Sequence, residues 1–155
     1  MRFLDEEGYK NLTGIEIRTE QYETTKKEFK KNGLQISLIN ANVLDIENKY
    51  DALYSTGLLQ SLNNTDRTNL IEHVSRLAPL AIFVVPEIIY ARNLGSKIDI
   101  AVDGCEEYPT GNLLWELSHF YSNIKSGVMN KEEIALKDNF IYFVCCNQEC
   151  NDAKI

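Results

Sequence analysis

The stretch LTGIEIRTEQYETTKKEFKKNG, residues 12–33, contains a complete strand-to-helix unit. Its apolar beginning, LTGIEI, predicts a short strand that ends at a carboxylate, Glu16. Residues 19–32 predict a helix, with Thr19 as the candidate cap at its start and Asn32-Gly33 as the stop at its end. A strand that runs straight into a helix is the repeating unit of α/β folds.

The rest of the chain continues this alternation. Further strands are predicted over QISLINANV, YDALYST and LAIFVV, which are residues 35–43, 50–56 and 80–85. A turn over GLLQSL leads to a helix that Thr65 is expected to cap and that ends before Pro79. A third helix is predicted over residues 112–124. The long connection at residues 87–111 either covers a binding cleft or forms a surface loop.

The chain closes with a different pattern. GVMNKEEIAL and NFIYFVCC, residues 127–136 and 139–146, predict two strands whose connection is too short for a crossover helix, so the strands are antiparallel. Alternating units that end in a hairpin predict a Rossmann-like open, twisted α/β sheet of about six strands. The strands are expected to be mostly parallel, with helices on both faces. We see no repeat or linker and expect one domain, residues 1–155.

Charge and hydropathy narrow the classes of partner. The formal charge is −7, from 23 acidic and 16 basic residues, which argues against a nucleic-acid partner. One helix carries a local run of lysines, Lys26, Lys27, Lys30 and Lys31. A solvated helix face accounts for that run. No apolar run approaches the roughly 20 residues of a bilayer span, and the first residues are too acidic for a secretory signal. We therefore expect a cytoplasmic protein with no membrane partner.

The cysteines do not have the spacing of a metal site. They are Cys105, Cys145, Cys146 and Cys150, and the segment CCNQEC has adjacent thiols followed by a three-residue gap. Because neighbouring residues of a strand point to opposite faces, Cys145 and Cys146 are poorly placed to chelate one ion. We expect no metal site, and reduced, buried, structural thiols.

The element order, the terminal hairpin and several local stretches together resemble the class I S-adenosylmethionine-dependent methyltransferases, over most of the chain. GYKNLTGIEI resembles the second strand of that family, and LINANVLDI resembles its third strand and the following turn. YDALYSTGLLQSLNN resembles the fourth strand and its loop. NLIEHVSRLAPLAIFVVPE resembles the next helix and the fifth strand, with Leu80 and Ala81 in place of the usual glycine pair.

The resemblance implies a cofactor, S-adenosylmethionine, and a set of residues that hold it. Glu16 would accept hydrogen bonds from the ribose hydroxyls, and Asn42 lies where the family often has an Asp that contacts adenine. Thr56 and Gly57 would pass beside the methionine part. The full predicted cofactor-binding set is Glu16, Ile17, Asn42, Val43, Thr56 and Gly57. Each position also has a purely structural interpretation, as a surface carboxylate, a turn Asn or a tight-turn Gly.

A substrate surface is predicted beside the fifth strand and the long connection. Its candidate residues are Glu87, Tyr90, Tyr108 and Trp115, for which packing is the alternative role. No catalytic base can be named, because His73 and His119 both fall inside predicted helices, and only His119 is a candidate to face the cleft. The Asn/Asp-Pro-Pro-Tyr tetrapeptide of many nucleic-acid and amide N-methyltransferases is replaced by STGL, which favours a small-molecule or protein substrate.

The family's first strand and glycine-rich turn have no counterpart in the sequence. None of the eight glycines forms a G-x-G pattern, and counting back about 20 residues from Glu16 leaves the chain. Because that strand is the centre of the family's sheet, we expect one of three outcomes. The sheet closes up with one strand fewer, a partner chain or second copy supplies the strand, or the chain is a fragment of a longer product.

Two functions remain open at this point. One is a methyltransferase that acts on a small molecule or a protein once its cofactor site is complete, relying on positioning and desolvation more than on an acid-base pair. The other is a non-catalytic, methyltransferase-like domain that binds a partner or a nucleotide-like ligand. A Rossmann dehydrogenase is the weaker third alternative, because the hairpin and the missing G-x-G-x-x-G both count against it.

Overall fold

A computed structural model describes residues 2–86, 110–129 and 140–147. The chain divides into two compact units, Met1–Glu47 and Asn48–Ile155, which are considered separately below. The expectation of one domain over residues 1–155 stays a prediction. None of the helices in the described ranges combines the length and apolar character that crossing a bilayer requires.

The described elements alternate as expected. The helices are α1 (Arg2–Glu6), α2 (Thr19–Lys31), α3 (Asn64–Leu77) and α4 (Thr110–Leu117). The strands are β1 (Thr13–Ile15), β2 (Ser37–Ile39), β3 (Ala52–Thr56), β4 (Leu80–Pro86), β5 (Asn123–Met129) and β6 (Phe140–Cys146). Short 3₁₀ turns occupy Val43–Asp45 and Leu59–Ser61.

The first unit is built on one parallel strand pair. β1 pairs with β2 in a register that places Gly14 opposite Leu38. The predicted helix follows as α2, and its C-terminal stop is confirmed: Gly33 adopts a φ of +67°, which costs glycine little. The predicted N-terminal cap is wrong, because the cap residue is Arg18, without a side-chain cap bond. The Thr19 hydroxyl instead donates to the Asn40 side chain over 3.1 Å.

The second unit contains a four-stranded sheet in the order β3-β4-β6-β5. β3 and β4 are parallel, whereas β6 runs antiparallel to both β4 and β5. The predicted C-terminal antiparallel pair is therefore confirmed. Its predicted connection, residues 137–139, lies outside the described residues.

The predicted boundary between the third helix and the hairpin was wrong. Helix α4 ends at Leu117, not at residue 124, and β5 already begins at Asn123. The prediction extended the helix because apolar residues continue at helical spacing to residue 124. The last two of them belong to other parts of the fold. Tyr121 is buried in the connecting segment, where its ring packs edge-on against Phe83 with centroids 6.4 Å apart. Ile124 belongs to the sheet and pairs with Cys145 of β6.

The start of α3 also differs from the prediction in its cap. Asn63, and not Thr65, is the N-cap residue, and its side-chain oxygen accepts from the Asp66 backbone N–H over 2.9 Å. Its amide nitrogen donates to the Asp66 carboxylate over 2.7 Å, so cap and first turn are tied in both directions.

Most of the core of the second unit lies on one face of its sheet, and Val84 and Cys146 are buried on the other face. Residues of β4 and β6 with the same side-chain direction are buried on the first face together with the apolar stripe of α3 and residues from α4 onward. The buried side chains are Leu70, Ile71, Val74, Leu77, Ala81, Phe83, Val85, Leu113, Leu117, Tyr121, Ile141, Phe143 and Cys145. Each large apolar side chain buried in this way stabilises the fold by about 1.5–3 kcal/mol. The buried strand β4 pairs in parallel with β3, whose carboxyl end carries Thr56 and Gly57.

The predicted fold class is confirmed, with one difference in how the strands assemble. The chain has a Rossmann-like α/β fold with mostly parallel strands and an antiparallel C-terminal pair. Within the described residues, however, the strands form sheets of two and four members instead of one sheet of about six. The three outcomes expected for the missing central strand stay predictions.

Candidate cofactor site

Glu16 follows β1 directly and has a fixed carboxylate. Its side chain is 25% exposed. The Oε1 atom accepts from the Arg18 backbone N–H over 2.9 Å and lies 3.5 Å from the Arg18 guanidinium Nε. The orientation of the carboxylate is therefore set by the turn into α2. An acceptor held in this way binds donors with little ordering cost.

Asn40 holds that turn in place, although the sequence did not single it out. Its side-chain nitrogen donates to the backbone oxygens of Glu16, over 2.7 Å, and Ile17, over 3.2 Å. Its oxygen accepts from the Thr19 hydroxyl. The sequence offered one signal for this residue, its position. Asn40 immediately follows β2 and so lies at the same carboxyl-terminal end of the parallel pair as Glu16.

Asn42 serves as a turn residue. Its side-chain oxygen accepts from the Leu44 backbone N–H over 3.1 Å and so caps the 3₁₀ turn that begins at Val43. The structural interpretation of this Asn is thus correct, while its amide nitrogen is still suited to donate to a ligand. β1 and β2 are neighbouring parallel strands, and Glu16 and Asn42 follow them. Both predicted residues therefore lie at the carboxyl-terminal end of the two-stranded sheet.

Thr56 and Gly57 lie at the carboxyl end of β3 in the second unit. Gly57 has a φ of +69°, and its N–H donates to the Val84 oxygen over 3.0 Å. A Cβ at this position would stand 3.3 Å from the side-chain nitrogen of Gln60. The turn therefore needs glycine, and both Thr56 and Gly57 are exposed to solvent.

Gln60 is a second residue that the sequence did not single out. It lies in the 3₁₀ turn Leu59–Ser61, and its side-chain oxygen is buried with no hydrogen-bond partner among the described residues. An unsatisfied buried acceptor costs about 1–3 kcal/mol, so structures usually satisfy it with a ligand or water. A polar side chain within a predicted binding loop was the signal available in the sequence.

Trp115 is the one predicted substrate residue that lies in the described residues. It projects from α4 with 67% of its surface exposed, and its ring contacts that of His119 edge-on at 4.3 Å. The His119 Nδ1 lies 2.9 Å from the Trp115 backbone oxygen. Core packing is excluded for this Trp. Glu87, Tyr90 and Tyr108 lie outside the described residues.

The two described cysteines, Cys145 and Cys146, differ in oxidation state. Cys145 is a free, buried thiol, and burial raises its pKa from the usual 9.0 to about 12. Cys146 is disulfide-bonded, so the prediction of reduced thiols is wrong for this residue. Pairing depends on which segments the fold brings near Cys146, and spacing along the chain does not reveal that. Among the described residues, no group of three His, Cys, Asp or Glu side chains has the arrangement of a metal site.

A comparison with known sequences identifies the family to which the chain belongs. The sequence model of the methyltransferase domain family matches residues 1–79, just over half of the chain. The chain belongs to this family. No curated protein matched in the corresponding comparison.

Solved structures of methyltransferases have the same fold as this domain. An S-adenosylmethionine-dependent methyltransferase from Clostridium acetobutylicum aligns with a TM-score of 0.70 and 13% identity, over 95% of this chain and 79% of its own. The methyltransferase domain of bacterial CtHen1 aligns with a TM-score of 0.72 and 12% identity, over 94% and 82%. Magnesium protoporphyrin IX methyltransferase from Synechocystis, solved with S-adenosylhomocysteine, aligns with a TM-score of 0.64 and 12% identity, over 87% and 64%.

Family and fold together confirm the class I methyltransferase resemblance. The cofactor of this family is S-adenosylmethionine, and the described residues fit parts of it. Glu16 supplies a fixed acceptor for hydroxyl donors, and the orphaned oxygen of Gln60 supplies an acceptor beside the exposed Gly57 turn.

Proposed function

We propose that this methyltransferase domain binds S-adenosylmethionine and transfers its methyl group to a small molecule or a protein. The observation that carries the proposal is the Glu16 carboxylate, which stands at the carboxyl end of a parallel strand with one oxygen fixed by the Arg18 N–H. Glu16 with Ile17 would hold the ribose, and Asn42 with Val43 would contact the adenine. Thr56 with Gly57 would border the methionine part.

S-adenosylmethionine supplies an electrophilic methyl group when it is bound. The contribution of the chain would then be to orient the cofactor and to present the acceptor. Trp115, with its large exposed ring, is the candidate acceptor-side contact in the described residues, and Glu87, Tyr90 and Tyr108 complete the proposed surface. The net charge of −7 and the STGL sequence at the end of β3 support a small-molecule or protein acceptor over nucleic acid.

Calorimetric titration with S-adenosylhomocysteine tests the cofactor part of the proposal. In Glu16→Gln the retained oxygen still accepts from Arg18, so the new amide would face the ribose hydroxyls with a donor. We expect the Kd to rise about 10- to 100-fold in this variant, because a charge-assisted bond contributes about 1.5–3 kcal/mol. Glu20→Gln, an exposed residue in the first turn of α2, removes the same charge and serves as the control. Equal affinity of all three proteins would refute the role of Glu16.

A second candidate function is a domain that is completed by another polypeptide. Within the described residues β1 pairs with β2 and β3 pairs with β4, and no strand occupies the other edge of either β1 or β3. Open edges of this kind accept additional strands. We propose that a partner chain or a second copy supplies one. Light scattering of the purified chain tests the second copy, because a stable dimer supports it and a monomer excludes it. Co-purification from cells tests a different partner, and a chain that purifies alone as a monomer contradicts this second function.

A cytoplasmic location is also part of the proposal. The disulfide at Cys146 weighs against it, since the cytosol keeps most thiols reduced. Thiol labelling of the protein in freshly lysed cells decides the matter. Cys146 that labels without reductant supports the cytoplasm, and Cys146 that labels only after reduction contradicts it.

A further inference from the structure

The end of the Gly57–Leu62 loop is held by an ion pair buried within the second unit. Arg67, on the first turns of α3, donates from Nε to the Glu116 Oε2 of α4 over 2.9 Å. The side chains are only 2% and 8% exposed. Charged side chains are rarely buried to this degree unless they are paired, and this pair also has further polar contacts.

The guanidinium reaches the loop through its other nitrogens. Arg67 Nη1 donates to the backbone oxygen of Leu62 over 3.0 Å, and Nη2 donates to the Asn64 side-chain oxygen. The Thr68 hydroxyl donates to the second oxygen of Glu116. One planar side chain thus joins the end of the loop, the start of α3 and the body of α4.

We propose that Arg67 and Glu116 are positioning residues that fix the Gly57–Leu62 loop for cofactor binding. The proposal rests on the proposed function, because this loop carries Gly57 and Gln60. Glu116 orients the guanidinium, and the guanidinium holds the carbonyl of Leu62. The N–H of the same residue closes the 3₁₀ turn at Leu59–Ser61 by donating to the Leu59 oxygen. A fixed turn keeps the Gln60 side chain beside Gly57 before any ligand arrives, and this lowers the ordering cost of binding.

The same clamp connects the loop to the acceptor side. Glu116 is the immediate neighbour of Trp115, and its two oxygens hold α4 against α3. Trp115 projects from that helix into solvent. A change at Arg67 would therefore loosen both the cofactor loop and the helix that presents the exposed ring.

Arg67→Lys is the informative substitution. Lysine keeps the positive charge but has one nitrogen, whereas the three guanidinium nitrogens of Arg67 donate to three separate acceptors. If the lysine keeps the bond to Glu116, the bond to Leu62 is lost. Glu116→Gln, which keeps the shape of the side chain, is the second variant, for use if Arg67→Lys does not fold. Ile71→Val is the matched control, because Ile71 is fully buried on the same helix and has no part in the clamp.

Amide hydrogen exchange of the ligand-free chain tests the positioning directly. The Ser61 and Leu62 amides donate within the turn, and we expect both to exchange roughly tenfold faster in Arg67→Lys than in the wild type. Ile71→Val should leave these two amides at wild-type rates while its helix exchanges faster. Wild-type exchange of the turn in folded Arg67→Lys and Glu116→Gln would overturn the inference.

Titration with S-adenosylhomocysteine then tests the link to the cofactor. We expect the Kd to rise roughly tenfold in Arg67→Lys and to stay unchanged in Ile71→Val. A loosened turn with unchanged affinity would overturn the role in cofactor binding. If the wild type itself does not bind, the proposed function fails, whereas the exchange result on the turn stands independently.

Discussion

Replacing Gly127 with Ala tests the register of the C-terminal strand pair. Gly127 of β5 stands opposite Tyr142 of β6. A Cβ at Gly127 would lie 2.5 Å from Cζ and 2.7 Å from Cε1 of the tyrosine ring, and still closer to its hydroxyl oxygen. The glycine is therefore required by the aromatic ring that covers it, and not by its backbone conformation.

The expected magnitude follows from this contact. Carbon atoms pack at about 3.5–4.0 Å, so the ring must retreat by about 1 Å. Overpacking of this kind costs about 1–3 kcal/mol, and the reduced freedom of the unfolded chain returns about 0.4–1 kcal/mol. We expect a net loss of about 1.5 kcal/mol in the free energy of unfolding. For a chain of this size the loss corresponds to a fall in Tm of about 3–6 °C.

Thermal and urea unfolding of Gly127→Ala, Tyr142→Thr and the double variant measure the coupling. In the Tyr142→Thr background the ring is gone, so the added methyl should be neutral or slightly stabilising. A full loss of stability in that background would show that the clash lies elsewhere. Wild-type stability of Gly127→Ala alone would contradict the register of β5 and β6.

Two further predictions concern a buried thiol and the turn after β3. The folded pKa of Cys145 is raised from 9.0 to about 12, so the unfolded state loses its proton first. The free energy of unfolding should hold below pH 9 and fall as the pH rises from 9 to 12. Urea titrations should show a shallower fall in Cys145→Ala, and an identical fall would exclude Cys145 as its cause. Gly57→Ala should lower stability by about 1–2 kcal/mol because its φ is positive, whereas Gly57→Asn should lower it less. Equal losses in both variants would contradict that conformation.

Patterns that act over a few residues predicted much of the fold. Helix α2 and its glycine stop, the buried strand β4 and the antiparallel end of the chain all follow from local periodicity and short connections. The position of Glu16 at the end of a strand was predicted for the same reason, because such a carboxylate is visible in the sequence. These features need no knowledge of which distant segments meet.

Features that depend on contacts between residues far apart in the sequence could not be predicted from it. Asn40 reaches Glu16 from 24 residues away, and Arg67 meets Glu116 from 49 residues away. The third helix was predicted too long because Tyr121 is buried by packing against Phe83, outside any helix. The disulfide at Cys146 likewise depends on a tertiary approach that spacing does not encode.

An NMR titration of the ¹⁵N-labelled chain with S-adenosylhomocysteine tests the central claim most directly. The claim is that this methyltransferase domain holds its cofactor at the ends of β1, β2 and β3. It predicts saturable shifts concentrated on the backbone amides of Ile17, Val43 and Gly57, with smaller changes in the core strands. A spectrum that does not change, or shifts that cluster away from these three strand ends, would contradict it.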